Sequence, residues 1–309
     1  MRIHHLLVGT RRAGAALGLT AALACTSALA AATPASASEL TNRHHGVGSR
    51  TVDITGFDFG YRINTHGGVR AGLVDIRFRN LGREDHQVQL FRLNDGVTPD
   101  KFKADLASGN LGSIFADSMP AGGAAVLRAH DSQPVWDPLQ GGTYATVCFV
   151  TGADGVPHFA KGMVGFFTVN GTVTPAKLAA LHPHRHVRGV ITAHDLTYTM
   201  PRVLHSDALY EFVDTDSADI HEFNLGRLKP GKTFADAKAY FQRLTRPGGP
   251  GPAPFWSEGG HGAVVPHGGH GWFRVDDDPG RYVAYCLVPD DMTGIPHAAL
   301  GMAVGVRVR

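Results

Sequence analysis

The sequence predicts an all-β protein built as two tandem Greek-key β-sandwiches, with short helices in the connections. Three observations predict it. Stretches such as HQVQLFRL, His86 to Leu93, alternate side chains as half-buried strands do. The 39 Gly and 18 Pro punctuate such stretches with turns. An ordered set of residues also occurs twice. His86 opens HQVQLFRLNDGVT and His221 opens HEFNLGRLKPGKT, with Thr98 and Thr233 at the same offset; Gly142-x-Tyr144 precedes Cys148 as Gly280-x-Tyr282 precedes Cys286. The 309 residues suit two domains of ordinary size, and the repeated order reads as a diverged tandem duplication.

The first 37 residues read as an export signal and are set aside from the fold. Arg2, Arg11 and Arg12 give a positive start, Ala13 to Ala32 is small and apolar, and Ala35-Ser36-Ala37 offers a cleavage site, with Ala28-Leu29-Ala30 as a second. The chain is therefore expected to be secreted, and its thiols to meet an oxidising compartment. Residues 38–50 are expected to be a disordered lead-in, 51–172 and 190–309 the two domains, and 173–189 a His-rich linker. No later apolar run reaches the ~18 residues a membrane span needs. The formal charge is +2, and Lys and Arg are dispersed without a basic stripe, so nucleic acid is not an expected partner.

Within the first copy, strands are expected over Val52 to Phe59, Val69 to Asn80 and His86 to Leu93. The last would put His86, Val88, Leu90 and Arg92 on one face and Gln87, Gln89, Phe91 and Leu93 on the other. Thr98-Pro99 supplies an N-cap and a first-turn proline for a helix from Asp100 to Leu106, and Thr233 caps Phe234 to Leu244 likewise. Strands leading into the cysteines, Thr143 to Val150 and Arg281 to Val288, follow a variable Gly/Pro-rich loop. Each copy closes on a strand after its Met, Val164 to Val169 and Ala303 to Val308.

The chemistry concentrates in Cys148 to Met163 and Cys286 to Met302, which read C-x9-H-x4-M and C-x10-H-x4-M. Thiolate, imidazole and thioether together suit copper, and trigonal His₂Cys with a weak axial Met is the blue-copper arrangement. With Cys25 inside the export signal, Cys148 and Cys286 are the thiols that remain. A structural disulfide is the alternative use for them. It would have to bring equivalent positions of two domain interiors within about 7 Å.

Each copy resembles a cupredoxin, the blue-copper β-sandwich family. The resemblance is carried by an early His after a polar turn (Asn80 to His86; Asp214 to His221), by Gly-x-Tyr-x-x-x-Cys, by Pro157-His158 and Pro296-His297, and by Gly162-Met163 and Gly301-Met302. It spans about Thr51 to Val169 and Val190 to Val308. It implies two cupredoxin-like domains and assigns His86, Cys148, His158 and Met163 to one copper site. His221, Cys286, His297 and Met302 form the other, so the chain would hold one or two type 1-like copper ions. The Cys-to-His loop is longer than in the small electron carriers and closer to the type 1 site of copper nitrite reductases. Backbone groups of the loops after each Cys are expected to orient the imidazoles.

The expected function is copper binding for electron transfer or copper carriage, with a redox partner protein; the alternative is a metal-free extracellular β-sandwich in a binding or structural role. Multicopper oxidases and nitrite reductases wire their blue copper through a His beside the cysteine. Here the neighbours are Val147, Phe149, Tyr285 and Leu287, so the chain is expected not to be an enzyme. No hydrolase or phosphate-binding motif competes. Among the 18 His, the His182, His184, His186 group and the His261, His267, His270 group read equally as weak copper or zinc sites or as solvated loops; His44 and His45 read as solvated.

Overall fold

The hydrophobic alternation is realised as β-structure from Thr51 onward. A computed structural model of the chain describes residues 49–257, Gly262 and 264–309. The export signal, His44, His45 and His261 lie outside these residues.

Three sheets organise the described residues. The first half contributes a five-stranded sheet in the order Val69–Arg70, Val164–Asn170, Gly142–Val147, His86–Leu93 and Ser118–Leu127. The second half builds its counterpart from Val203–Leu204, Ala303–Val308, Gly280–Tyr285, Asn224–Leu228 and Phe255–Ser257. Four more strands from each half complete the sandwiches, and these eight join into one shared sheet. The join is antiparallel between Ser132–Leu139 and His270–Val275, with Trp136 opposite Trp272 and Val135 opposite Phe273. All described residues belong to one compact unit.

The expected Val69 to Asn80 strand is two strands in different sheets. Val69–Arg70 pairs with Val164–Asn170, whereas Gly72–Asn80 pairs with Thr51–Phe57 and Ser132–Leu139. Gly72, at φ +134°, makes the crossing between layers, a conformation that residues with a Cβ rarely adopt. A hairpin absent from the sequence reading follows Phe57: its return strand is Gly60–Asn64, leaving Asp58 and Phe59 at the tip. The same hairpin recurs at His194 and Thr197, with Asp195 and Leu196 at the tip.

His86–Leu93 forms as expected, but its two faces are not one buried and one wet. All its residues except Arg92 are buried. Val88 and Leu90 enter the main core, which also holds Phe78 and Val135 from the first half and Phe212, Phe223 and Phe273 from the second. Phe91 and Leu93 pack on the opposite side under the Pro99–Ser108 helix, against Phe102 and Leu106. Gln89 is buried because the second half covers it: its Nε2 donates to Val264 O (3.0 Å) and its Oε1 accepts from Val264 N–H (2.9 Å).

Both expected helices form behind their caps. The Thr98 side chain accepts from Lys101 N–H, and Thr233 and Asp236 close a capping box at the start of Phe234–Phe241. Such caps each contribute about 1 kcal/mol. Phe241, Phe255 and Tyr285 form the matching satellite core under the second helix.

Candidate metal centres

Each cysteine stands at the end of a central strand, and the following loop is folded back onto it. After Gly142–Val147, the His158 N–H donates to Val150 O (2.8 Å) and the Phe159 N–H to Cys148 O (2.9 Å). Met163 N–H then donates to His158 O (3.0 Å) while Cys148 N–H donates to Met163 O (3.3 Å). Gly162 sits between them at φ +105°, which explains the Gly before each Met. The second loop repeats the pattern: His297 N–H to Val288 O (2.9 Å), Ala298 N–H to Cys286 O (2.7 Å), Met302 N–H to His297 O (2.9 Å) and Cys286 N–H to Met302 O (3.3 Å).

These closures bring the distant His to the thiol. His86 Nδ1 and His158 Nδ1 are 3.0 Å apart, and Cys148 Sγ lies 3.5 Å from His158 Nδ1 and 3.9 Å from His86 Nδ1. In the second half Cys286 Sγ is 3.5 Å from His297 Nδ1, and the donor atoms of His221, Cys286 and His297 lie within 4.8 Å of one another. All six residues are wholly buried, as are Met163 and Met302. Both cysteines are free thiols.

Side-chain carboxylates, and not loop backbone, hold the outer edges of three of the four imidazoles. Asp58 Oδ1 is 2.8 Å from His86 Nε2 and Glu84 Oε2 is 3.0 Å from His158 Nε2. Asp58 reaches the ring from the hairpin tip, where its carboxylate also accepts the Arg83 N–H at 3.0 Å. Asn80 shapes the turn carrying Glu84: its Nδ2 donates to Glu84 O (2.8 Å) and its Oδ1 accepts from Gly82 N–H (2.9 Å). In the second half Asp216 Oδ2 lies 3.3 Å from His221 Nε2, and Asp214 takes the place of Asn80, accepting from Asp216 and His221 N–H at 2.9 and 3.0 Å. Phe59 packs at a tilt against His158 with ring centroids 4.8 Å apart, and Lys161 Nζ lies 4.2 Å from the Phe59 centroid.

The electrostatics suit a metal in place of a proton. Burial pushes the Cys148 thiol up to about 11 against the opposing N–H contact of Gln87, 3.4 Å from Sγ, and pushes Cys286 well above its ordinary value. A buried thiol of this kind ionises only when a cation or metal compensates it. Burial lowers His86 despite Asp58, and lowers His297, so both rings are neutral donors near pH 7. His221 Nδ1 is buried without a hydrogen-bond partner. A buried ring nitrogen left so costs about 1–3 kcal/mol. Two imidazoles, one thiol and an orphaned ring nitrogen therefore fit a soft transition metal.

The order His, Cys, His, Met, on matching strands and on a loop closed by the same four hydrogen bonds, is present twice. Each half is a cupredoxin-like β-sandwich. No protein-family model matches the chain, and no curated protein matches it. Among solved structures it is similar to dithionite-reduced auracyanin from Roseiflexus castenholzii: 20% identity, TM-score 0.26, covering 39% of this chain and 95% of that one. A multicopper oxidase matches at 18% identity and TM-score 0.21, over 84% of this chain and 88% of its own. A copper-containing nitrite reductase from Thermus scotoductus matches at 12% identity and TM-score 0.22, over 84% and 61%. At such scores the assignment rests on this chain's own strand order and loop closure.

The expectation that the chain is not an enzyme is corrected here. It assembles two complete His-Cys-His groups, a donor set on which redox catalysis can be built. A missing His beside each cysteine removes one route of coupling and does not bear on chemistry reached by another. A cavity of ≈ 530 Å³ lies between the cupredoxin-like halves, lined by residues next to the ligand-type ones, among them Gln87, Phe149, Glu222 and Leu287.

Of the His-rich tracts, the structure brings His182 and His270 together around Trp272, with ring centroids 5.7 and 4.6 Å from it, while His184, His186 and His267 are exposed. Asp58, Glu84, Asp216 and Phe59 were missed as site residues. The only sequence signal for Glu84 and Asp216 is a carboxylate within a few residues of the early His, and Asp58 and Phe59 lack even that.

Proposed function

We propose that this protein is an extracellular copper-binding electron-transfer protein with two type 1-like centres. His86, Cys148 and His158 would hold one ion and His221, Cys286 and His297 the other, with Met163 and Met302 as further donors. When bound, copper would supply a one-electron couple tuned by the thiolate and thioether donors. The observation that carries the reading is the twofold convergence of two imidazoles and a free thiol in fully buried positions. Full burial favours electron transfer over copper carriage, because donors closed off from water exchange a metal slowly. The carboxylates on the outer ring edges fix the tautomer that leaves Nδ1 free to bind. Export rests on the signal-like first 37 residues.

Addition of Cu(II) to the purified metal-free protein tests the reading. It should produce intense thiolate-to-copper absorption, reduced by Cys148→Ser and by Cys286→Ser and abolished by the pair. A protein that stays colourless and takes up no copper would sink it and leave the metal-free β-sandwich. Repeated reduction and reoxidation without copper loss would support electron transfer over carriage.

A further inference from the structure

The outer edge of the second loop histidine is built differently from that of the first. Glu84 closes directly on His158 Nε2 at 3.0 Å. His297 is equally buried, yet its Nε2 has no hydrogen-bond partner. Facing that edge are two carboxylates: Asp219, with Oδ1 3.9 Å from Nε2, and Asp290; donor atoms of all three residues lie within 4.8 Å of one another.

The separation is too long for a hydrogen bond and close to that of two ligands sharing an ion. Nitrogen and carboxylate ligands of tetrahedral zinc, each 2.0–2.2 Å from the metal, stand roughly 3.4 Å from one another. The Asp290 carboxylate is held in place, and so is the backbone that carries Asp219. The Thr293 N–H and hydroxyl donate to Asp290 Oδ1 at 2.7 and 2.5 Å, and the Asp219 N–H donates to Asp216 Oδ1 at 3.4 Å. The first half presents one carboxylate in direct contact, whereas the second presents two that stand off an unpartnered nitrogen.

We propose that Asp219, Asp290 and His297 Nε2 form a site for a divalent cation of the zinc class on the outer side of the second centre. The ring would be approached from the edge opposite Nδ1, which faces Cys286. The proposal goes beyond the copper reading and stands without it, since it uses neither thiol nor Nδ1. With both positions filled, the ring gives up its remaining proton to solvent, and the resulting imidazolate joins a soft inner site to a hard outer one. Divalent cations would then bear on the inner centre without entering it.

The test is equilibrium dialysis of the full, metal-free chain carrying Cys148→Ser and Cys286→Ser against Zn(II). Asp219→Asn and Asp290→Asn should each weaken zinc binding by about tenfold or more at one site, and Glu84→Gln should not. No zinc binding, or binding that ignores both aspartate variants, overturns the proposal. If the serine variants fail to fold, Co(II) titration of the wild-type chain serves instead. Thiolate-to-cobalt absorption counts the inner sites, and any further bound cobalt counts outer ones. Loss of one further cobalt in Asp219→Asn supports the site, and its persistence or initial absence overturns it. Failure of the thiolate signal alone would count against the inner centres and not against this one.

Discussion

Asp58 Oδ1 lies 2.8 Å from His86 Nε2, although 28 residues separate them. The hairpin after Phe57 places the aspartate over the ring, and Arg83 and Glu84 N–H fix its carboxylate. Burial would raise the Asp58 carboxyl, but these hydrogen bonds outweigh it and hold the group below its ordinary value. It is thus an anion under ordinary conditions and orients a neutral imidazole.

Asp58→Asn should therefore weaken copper binding at the first centre by about 10- to 100-fold, the usual cost of losing such an outer partner. Competition with a chelator, read by thiolate-to-copper absorption in a Cys286→Ser background, measures it. An unchanged affinity would remove Asp58 from the site.

Gly82→Ala should damage the first centre selectively. A Cβ at residue 82 would lie 2.3 Å from Asp58 Oδ1 and 2.5 Å from His86 Nε2. Overpacking of this kind costs about 1–3 kcal/mol. Half of the thiolate-to-copper absorption should be lost, while that assigned to Cys286 remains.

Gln89→Ala should loosen the two halves. Its amide makes both hydrogen bonds to Val264, and a third to Gly122 O at 3.2 Å. Val264 O keeps the Gly122 N–H at 2.9 Å, but the Val264 N–H loses its partner. A buried donor left so costs about 1–3 kcal/mol, and denaturant unfolding should show a loss of about 2 kcal/mol.

Asp137 makes the metal-free protein less stable as pH rises. Burial pushes its carboxyl up to about 8 against the opposing Gly123 N–H, 2.8 Å from Oδ2. The folded state thus keeps a proton that the unfolded chain, with an ordinary value of 3.8, gives up. The associated stability is complete below the unfolded value and is lost between about pH 4 and 8. Asp137→Asn should flatten the fall in Tm across that window. An identical pH profile for both proteins would refute the assignment.

Local patterns in the chain were legible where local physics decides them. The period of two in HQVQLFRL, the Thr-Pro and Thr-x-x-Asp helix starts, and the spacing from Cys to His to Met each concern residues whose geometry is set by near neighbours. The recurrence of that order also made two cupredoxin-like halves readable. The burial of Gln89 on its second face was not readable, because the group covering it, Val264, is 175 residues away.

The sequence by itself determined the element types, the duplication and the soft donors that define the chemistry. Only the tertiary structure decided what surrounds them. It joined the halves through Trp136 and Trp272, closed Asp58 and Glu84 on one pair of rings, and left His297 Nε2 facing Asp219 and Asp290 without a partner. The physical reason is that spacing along a strand or loop fixes a donor's direction. Whether a carboxylate meets it at 2.8 or 3.9 Å depends on how separate loops pack.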